Sequence, residues 1–254
     1  MLLAERLQRI VDLVNERKSI RVSELSELCA VTEETIRRDL DKLEAEGKLA
    51  RTHGGAVSLA ETRTEVPYYE REVAFGEEKR RIAEEAVKLV RPKDRIMLDA
   101  STSAWYVAKQ LPDMPLTVLT NSIKVAIELA NKEKIQVIST GGILLSGSLS
   151  YVGPLAERSI DPYHFDRLFL SCKGARVDRG LSESNELQGV MKQRMIDAAE
   201  EVVLLADHSK FDVQAFTHVA GWDRIDRVIT DAGTRAADVA RLREMGIDVT
   251  QLSS

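Results

Sequence analysis

The stretch VSELSELCAVTEETIRRDLDKLEAEGKLARTHGGA, residues 22–56, contains the signals that indicate how the first part of the chain folds. Within it, Ile36, Leu40 and Leu43 recur at i, i+4 and i+7, which puts their side chains on one buried stripe of a helix. Thr32 precedes this run and suits an N-cap, because its hydroxyl can accept from a backbone N–H of the first turn. The pattern predicts a capped, amphipathic helix in the middle of the stretch.

Helical patterns precede that helix, and a hairpin pattern follows it. Leu25 and Leu28 predict a short helix, which residues 19–22 connect to an earlier one. Gly54 and Gly55 indicate a tight turn between two short β-prone runs. The earlier helix is predicted from the spacing of Leu3, Leu7, Ile10, Val11 and Val14. This order is the layout of a winged helix-turn-helix, which we assign to residues 1–57.

The helix that begins after Thr32 is the candidate DNA-reading helix. In a helix-turn-helix the second helix enters the major groove and directs polar and basic side chains at bases and phosphates. Arg37 and Arg38 offer bidentate donors for guanine or phosphate, although paired arginines on a helix surface are commonly just solvated. The candidate DNA-binding residues are Thr32, Glu34, Thr35, Arg37, Arg38, Lys42, Arg51, Thr52 and His53.

The charge of the chain limits how it can bind DNA. Its 254 residues include 36 basic and 41 acidic side chains, a net charge of −5. Residues 1–60 carry ten Lys or Arg and eleven Asp or Glu, so the DNA-binding part is not basic overall. We therefore expect a local electrostatic footprint on double-stranded DNA and modest non-specific affinity.

Composition also excludes several classes of protein. A hydrophobic content of 44% is enough for a packed core and argues against extensive disorder. No apolar run reaches about 18 residues and the N-terminus has no signal-peptide pattern, so we expect no membrane association and a cytoplasmic location. Cys29 and Cys172 form no disulfide framework and the four histidines have no ligand spacing, so neither a metal nor a cofactor is expected.

The remainder of the chain reads as a linker, residues 58–75, followed by an α/β domain, residues 76–254. Pro67 and the charged, aromatic residues 68–72 indicate a partly ordered connection rather than a flexible tether. Strands are predicted at 95–98, 116–119, 135–139, 167–171, 201–206, 227–230 and 248–251, and helices at 79–90, 103–110, 123–131, 188–199 and 236–245. Strands that alternate with helices predict a parallel, Rossmann-like sheet covered on both faces.

Polar loops follow the predicted strands, where open parallel sheets bind their ligands. The cluster Ser101, Thr102 and Ser103 opens a helix, where hydroxyls and backbone amides can hold a phosphate. A Ser/Thr cluster in this position is more commonly just a helix cap, but three such loops in succession favour a ligand site. The candidate effector-binding residues are Asp99, Ser101, Thr102, Ser103, Thr120, Asn121, Ser122, Gly141, Gly142, Lys173, Gly174, Glu183, Glu186, Lys192, Asp207 and Lys210.

Several of these residues also have a plainer interpretation. Lys173 is a candidate partner for a phosphate or sugar oxygen, or a solvated lysine. Asp207 and Lys210 either bind a sugar or pair with each other. Cys172 follows a strand beside Lys173, which could lower its thiol pKa and make it a redox sensor, although no resolving partner is evident.

Both halves of the chain resemble the DeoR family of bacterial sugar-catabolism regulators. The N-terminal motifs are Thr35-Ile36-Arg37-Arg38-Asp39-Leu40 and Arg51-x-His53-Gly54-Gly55-Ala56, with Thr32 where the family often has Ser. The C-terminal motifs are Asp99-x-x-Thr102-Ser103, Thr120-Asn121-Ser122, Gly141-Gly142, Gly153, Lys192-x-x-Met195-Ile196, Asp207-x-Ser209-Lys210-Phe211 and Thr230-Asp231. Ser101 departs from the glycine common in the first loop of the family, and Ser171-Cys172-Lys173 from a small Gly/Ala stretch.

This resemblance implies a sensor domain similar in fold to ribose-5-phosphate isomerase and a function in transcription. The expected protein is a repressor, a homodimer or homotetramer, released from its operator by a sugar phosphate. Residues 171–186 are similar to regulators of deoxyhexose use, such as rhamnose. The alternative is a sugar-phosphate isomerase-like enzyme fused to a DNA-binding module, with Asp99, Glu183, Glu186 or Asp207 as a base and Lys210 steadying an enediolate. No spacing identifies a catalytic set, so we predict a regulator and not an enzyme.

Overall fold

The N-terminal unit consists of three helices and a three-stranded sheet. A computed structural model describes residues 3–17, 19–52, 54–58 and 66–253 of the chain. Helix α1 is Leu3–Arg17, α2 is Val22–Cys29 and α3 is Glu33–Ala45; the strands are β1 Ser19–Arg21, β2 Ala50–Thr52 and β3 Gly55–Val57. The predicted stripe is confirmed, because Ile36, Leu40 and Leu43 are fully buried in one apolar cluster with residues of α1 and α2.

Local signals determine where α3 begins and ends. The Thr32 side chain accepts from the Thr35 backbone N–H at 3.3 Å, as expected of an N-cap. Gly47 adopts φ +66° directly after the C-cap, a left-handed conformation that glycine adopts without steric cost. Arg6 of α1 grips the buried carboxylate of Asp39 through Nε at 2.6 Å and Nη2 at 3.3 Å. This pair fixes α3 against α1 from the face opposite solvent.

The predicted connection over residues 19–22 contains a strand, Ser19–Arg21, and its last residue begins α2. In the order β1-β3-β2, β1 pairs antiparallel with the wing strand β3, with Ile20 opposite Ala56. A Cβ on Gly55 would lie 2.0 Å from the Ile20 carbonyl oxygen, so only glycine permits this approach. A three-residue strand has too short an alternation to be distinguished from a connection in the sequence.

The described part of the linker carries a short helix. Helix α4, Tyr68–Val73, is followed by α5, Gly76–Val87, and Phe75 between them has φ +54°. Tyr68 is buried, and its backbone N–H donates to the Gly147 carbonyl at 2.8 Å. The linker segment just before α5 is therefore docked on the α/β domain. Residues 59–65 lie outside the described residues.

All seven predicted strands of the second part form one parallel sheet. They are β4 Arg95–Leu98, β5 Leu116–Thr120, β6 Ile135–Ser139, β9 Phe165–Leu170, β12 Ala199–Leu205, β14 Arg227–Thr230 and β15 Asp248–Gln251. Their order is β15-β14-β12-β9-β4-β5-β6, with every pairing parallel. Along β4, Met97 belongs to one apolar cluster and Ile96 and Leu98 to another, so the sheet is buried on both faces.

Helices cover both faces of this sheet. Further helices are α6 Thr102–Gln110, α7 Ile123–Leu129, α8 Pro154–Arg158, α9 Glu186–Asp197 and α10 Ala236–Glu244. Apolar residues of α5, α6 and α7 pack in one cluster, and those of α8, α9 and α10 in the other. The predicted helices agree with these to within about one turn. The largest difference is the first, which was predicted at 79–90 and begins instead at Gly76.

Within the α/β domain, five short strands and α8 were not predicted. Strands β7 Ile143–Leu145 and β8 Ser150–Val152 form a hairpin, and β10 Gly174–Arg176, β11 Gly180–Glu183 and β13 Thr217–Ala220 form an antiparallel sheet. Each is three or four residues long, which is too short for a periodic signal. Within the described ranges, no helix is long and apolar enough to cross a bilayer.

Candidate DNA-reading helix and effector cavity

The exposed face of α3 carries most of the predicted DNA-binding side chains. Thr32, Glu34, Arg37, Arg38 and Lys42 are exposed, and Thr35 is half-buried. Arg37 contacts Glu33 at 2.6 Å and Arg38 contacts Glu34 at 3.4 Å, both as i,i+4 pairs in solvent. Such pairs contribute only about 0.3–0.5 kcal/mol, so both guanidinium groups are readily exchanged onto another acceptor. The helix therefore presents two arginines that can change partners on its solvent face, while the Arg6–Asp39 pair holds its opposite face against α1.

The wing residues Arg51 and Thr52 were predicted to bind DNA, but the structure places them differently. The Arg51 guanidinium contacts Asp41 of α3, and its backbone N–H donates to Glu44 at 2.9 Å. Arg51 and Thr52 line a cavity of about 320 Å³ that also contains Lys173, Lys210 and linker residues. We call this the junction cavity. In this arrangement the two wing residues face the α/β domain, and His53 lies outside the described residues.

A second, smaller cavity of about 70 Å³ lies at the carboxyl ends of β4 and β9. We call it the sensor cavity. Its lining is Val66, Arg71, Ser101, Thr102, Ser103, Ser171, Cys172, Lys173, Glu183, Ser184, Lys192 and Lys210. It contains the predicted first loop and the predicted lysines, which lie far apart in the sequence.

The first loop combines a helix cap with cavity-facing hydroxyls. Ser101 Oγ accepts from the Ala104 backbone N–H at 3.0 Å and donates to Asp99 Oδ1 at 2.5 Å. Its hydrogen-bonding capacity is thus used within the loop, as the capping interpretation predicted. Thr102 and Ser103 are buried on the cavity wall at the N-terminus of α6, where the helix dipole favours an anion.

Lys192 neutralises two buried carboxylates beneath the cavity. Its Nζ lies 3.0 Å from Asp99 Oδ2 and 2.6 Å from Glu183 Oε1, and donates to the Ser171 carbonyl oxygen at 2.5 Å. Burial alone would lower the pKa of Lys192, but the charges of Asp99 and Glu183 outweigh this effect and raise it. Because all three charges are engaged with one another, neither carboxylate is positioned as a free base.

Lys173 and Lys210 lie on the shared wall of the two cavities, and both line each of them. Lys210 ends a short 3₁₀ turn whose first residues are held by Asp207, since Asp207 Oδ1 accepts from the Ser209 backbone N–H at 3.0 Å. Asp207 is fully buried and does not line either cavity. It thus orients the turn that carries Lys210 rather than pairing with the lysine.

The second predicted loop serves the fold instead of the cavity. Thr120 Oγ1 donates to the Leu98 carbonyl at 2.7 Å, and Ser122 Oγ caps α7 by accepting from Val125 at 3.2 Å. Asn121 Nδ2 donates to the Tyr151 carbonyl at 3.0 Å. None of Thr120, Asn121 and Ser122 lines the sensor cavity. Hydroxyl-rich loops cap helices and bind ligands with the same residues, so the sequence pattern does not separate the two roles.

Three predicted glycines and Glu186 also lie away from the sensor cavity. A Cβ on Gly142 (φ +112°) would lie 2.8 Å from the Val152 carbonyl oxygen, and one on Gly174 would lie 2.2 Å from that of Val213. These glycines, like Gly141 with φ +61°, are required by the conformation or the close packing of the backbone. Glu186 is exposed in the first turn of α9.

Five residues of the cavity wall were not among the predicted site residues: Val66, Arg71, Ser171, Cys172 and Ser184. Ser171, Cys172 and Ser184 adjoin predicted residues, whereas the two linker residues carry no motif that identifies them. The expectation of a lowered thiol pKa at Cys172 is wrong. Burial raises the pKa of Cys172 to about 12, so it is an inert core thiol and not a redox sensor. Among the residues described, no cluster of His, Cys, Asp and Glu is arranged to hold a metal ion.

A winged helix-turn-helix joined to an α/β domain with a polar cavity at its strand ends defines a DNA-binding regulator with a sensor domain. Comparison with protein-family models agrees with this class. Residues 6–62 match the DeoR-like helix-turn-helix domain, and residues 75–232 match the DeoR C terminal sensor domain. The chain belongs to the DeoR family of transcriptional regulators.

Individual relatives support a regulator rather than an enzyme. The chain is 56% identical to the uncharacterized HTH-type transcriptional regulator YulB of Bacillus subtilis (strain 168), over 98% of this chain and 97% of that protein. It is 37% identical to the L-fucose operon activator of Haemophilus influenzae, over 87% and 89% of the two chains. Ribose 5-phosphate isomerase A of Methanocaldococcus jannaschii superposes on it with a TM-score of 0.41 at 19% identity, covering 54% of this chain and 55% of that one.

Proposed function

We propose that this regulator is a repressor of a sugar-catabolism operon that leaves its operator when a phosphorylated sugar binds in the sensor cavity. The observation that carries the proposal is the convergence of the α6 N-terminus, with Thr102 and Ser103, and the amines of Lys173 and Lys210 on one small cavity. Hydroxyls, helix N–H groups and cations are the donors that recognise phosphate.

The dimensions of the cavities support a phosphate ester rather than free phosphate. The sensor cavity, about 70 Å³, is well below the roughly 300–1,000 Å³ typical of small-molecule sites. The junction cavity of about 320 Å³ lies within that range by itself, and it shares Val66, Arg71, Lys173 and Lys210 with the sensor cavity. In this proposal the phosphate lies in the sensor cavity and the sugar extends toward the junction cavity.

The proposed class of sugar is a deoxyhexose derivative. The similarity of residues 171–186 to regulators of deoxyhexose use is one support, and the relative named as an L-fucose operon activator is another. Because that relative is named an activator, the sign of regulation is a separate outcome of the test. Expression of a reporter gene controlled by operator DNA, which can be selected from a random library, rises when the gene for a repressor is deleted. It falls when the gene for an activator is deleted.

The reading unit in this proposal is a homodimer or a homotetramer. A single helix-turn-helix makes few base contacts, and symmetric pairs bind half-sites about one helical turn apart. Sedimentation of the full chain on recovered operator DNA gives the stoichiometry directly. A monomer on DNA would contradict this part.

A thermal-stability panel tests the effector. The probes are L-rhamnulose 1-phosphate, L-fuculose 1-phosphate, D-fructose 1-phosphate and glycerol 3-phosphate, each beside its unphosphorylated counterpart. A ligand at a hundredfold excess over its Kd stabilises the folded state by about 2.7 kcal/mol. We expect one phosphate ester to raise Tm and its free sugar to leave Tm unchanged. A shift with the free sugar alone would contradict a phosphate site.

A further inference from the structure

We infer that Arg71 of the linker helix is a direct ligand of the effector phosphate, and that through it the effector acts on the DNA-binding unit. The inference rests on the proposed function, because it assumes that the sensor cavity holds a phosphate ester. Arg71 lines the sensor cavity and the junction cavity, although it belongs to neither of the two main units in the sequence. Arg71 contributes a guanidinium group to the sensor cavity, whose other cationic groups are the amines of Lys173, Lys192 and Lys210.

The helix that carries Arg71 is firmly attached to the sensor domain. Lys79 of α5 is buried, and its Nζ donates to the Arg71 carbonyl at 2.5 Å and to the Ala74 carbonyl at 2.6 Å. The Arg71 guanidinium also lies 5.7 Å from the centroid of the buried Tyr68 ring. The backbone of Arg71 is therefore fixed relative to the cavity, as a ligand side chain requires.

Cationic side chains predominate in the lining of the sensor cavity. Arg71, Lys173, Lys192 and Lys210 all line it, and Lys192 is engaged with the carboxylates of Asp99 and Glu183. A lining of this composition suits a phosphate monoester, which carries about −1.5 to −2 at neutral pH.

Lys79 adds a further cation beside the junction cavity. Burial, and secondly the charge of Lys210, lowers the pKa of Lys79 to about 8. An anion placed among these cations would relieve their mutual repulsion. A planar guanidinium adds bidentate recognition of two phosphate oxygens, which an amine does not provide.

A second contact of Arg71 links the cavity to the DNA-binding unit. Its Nε donates to the Val66 carbonyl at 3.0 Å, on the chain segment that leads back to the wing. Wing strand β2 contributes Arg51 and Thr52 to the same junction cavity. A phosphate that draws the guanidinium toward itself competes with the Val66 contact. Effector binding thereby alters the attachment of the segment that connects the DNA-binding unit to the sensor domain.

The test uses the full chain with Arg71→Gln and Arg71→Lys, and Arg80→Gln as the matched control. Arg80 is an exposed arginine on α5 that pairs with Glu77 and Glu84 and lines neither cavity. The probe is the phosphate ester from the thermal panel that binds the wild type most tightly, measured by titration calorimetry. Removing a hydrogen bond to a charged group weakens binding by about 10- to 100-fold.

We expect Arg71→Gln to weaken binding of the phosphate ester by that factor. Because the variant also removes the Val66 contact, we expect it to lower operator affinity even without effector. Arg71→Lys should recover part of the affinity for the ester, because it keeps the charge and loses the bidentate geometry. Equal binding by Arg71→Gln and Arg80→Gln would overturn the inference and leave the proposed function intact. Failure of the whole panel on the wild type would overturn both.

A measurement on the wild type covers the case in which Arg71→Gln does not fold. The Nε–Hε resonance of Arg71 is assigned in ¹⁵N-arginine-labelled protein by its loss in Arg71→Lys. It should shift on addition of the phosphate ester while that of Arg80 stays in place. An unmoved Arg71 resonance at saturating ester would overturn the inference.

Discussion

Replacement of Arg38 by alanine should separate DNA recognition from folding. The Arg38 side chain is 79% exposed, and its distance of 3.4 Å to Glu34 is that of a loose surface pair. An i,i+4 pair of this kind stabilises a helix by about 0.3–0.5 kcal/mol, and alanine has the higher helix propensity. We therefore expect the free energy of unfolding to change by less than about 0.5 kcal/mol.

The expected loss on DNA is much larger. A bidentate arginine–guanine contact contributes about 1–3 kcal/mol of discrimination, which corresponds to roughly 5- to 150-fold in Kd per half-site. A symmetric reader that engages two half-sites doubles this free-energy loss. Fluorescence anisotropy with operator DNA recovered from a random library, at fixed salt, measures the change.

Salt dependence then distinguishes a base contact from a phosphate contact. Loss of one phosphate contact reduces the slope of log K against log salt by about 0.9, whereas loss of a base contact relaxes specificity at one position. Arg80→Ala is the matched control, because Arg80 also forms an i,i+4 surface pair but lies on α5. If Arg38→Ala and Arg80→Ala bind the operator equally well, α3 does not read DNA in the way described here.

Three further predictions concern the α/β domain. Lys192→Met leaves two buried carboxylates without their cation, and should lower the free energy of unfolding by about 3–5 kcal/mol in urea titrations; an unchanged midpoint would contradict the buried triad. The pKa of Lys79 is lowered from 10.5 to about 8 in the folded protein. Between these two pH values the unfolded chain binds more protons than the folded one, so the contribution of Lys79 to folding stability rises as the pH increases. The stability of wild type relative to Lys79→Met should accordingly increase between pH 7.5 and pH 9.5, by up to about 1.4 kcal/mol per pH unit, and equal differences at both pH values would refute the shift. Thr102→Val keeps the side-chain shape but removes a cavity hydroxyl, and should weaken the phosphate ester by about 2- to 10-fold in calorimetry, whereas Thr117→Val on β5 should not.

The elements with long periodic signals were predictable from the sequence. The i, i+4, i+7 spacing of Ile36, Leu40 and Leu43 fixed the buried face of α3, and all three are fully buried. The seven central strands were recognised as short apolar runs bounded by polar loops, and all seven pair in one parallel sheet. In contrast, β10, β11 and β13 carry polar and glycine residues in segments of three or four, and no periodicity distinguishes them from loops.

The candidate site was predictable only in part, because the type of a residue does not show whether its side chain caps a helix, pairs with a charge or binds a ligand. The hydroxyls of Ser101 and Ser122 both cap helices, yet only Ser101 lies on the sensor cavity. Asp99 and Glu183 were expected to meet a ligand; both are paired with Lys192, and of the two only Glu183 lines the sensor cavity. Arg71 lies in a charged linker with no binding motif, and only the docking of α4 on the sensor domain brings it to the cavity.

Effector-induced release is tested by an operator-release titration with the wild-type chain. A preformed complex of the protein and fluorescent operator DNA is titrated with the phosphate ester that stabilises the protein, and in parallel with its free sugar. We expect the ester to dissociate the complex at concentrations near its own Kd and the free sugar to leave the anisotropy unchanged. A complex that stays intact when the sensor cavity is saturated with the ester would contradict effector-induced release.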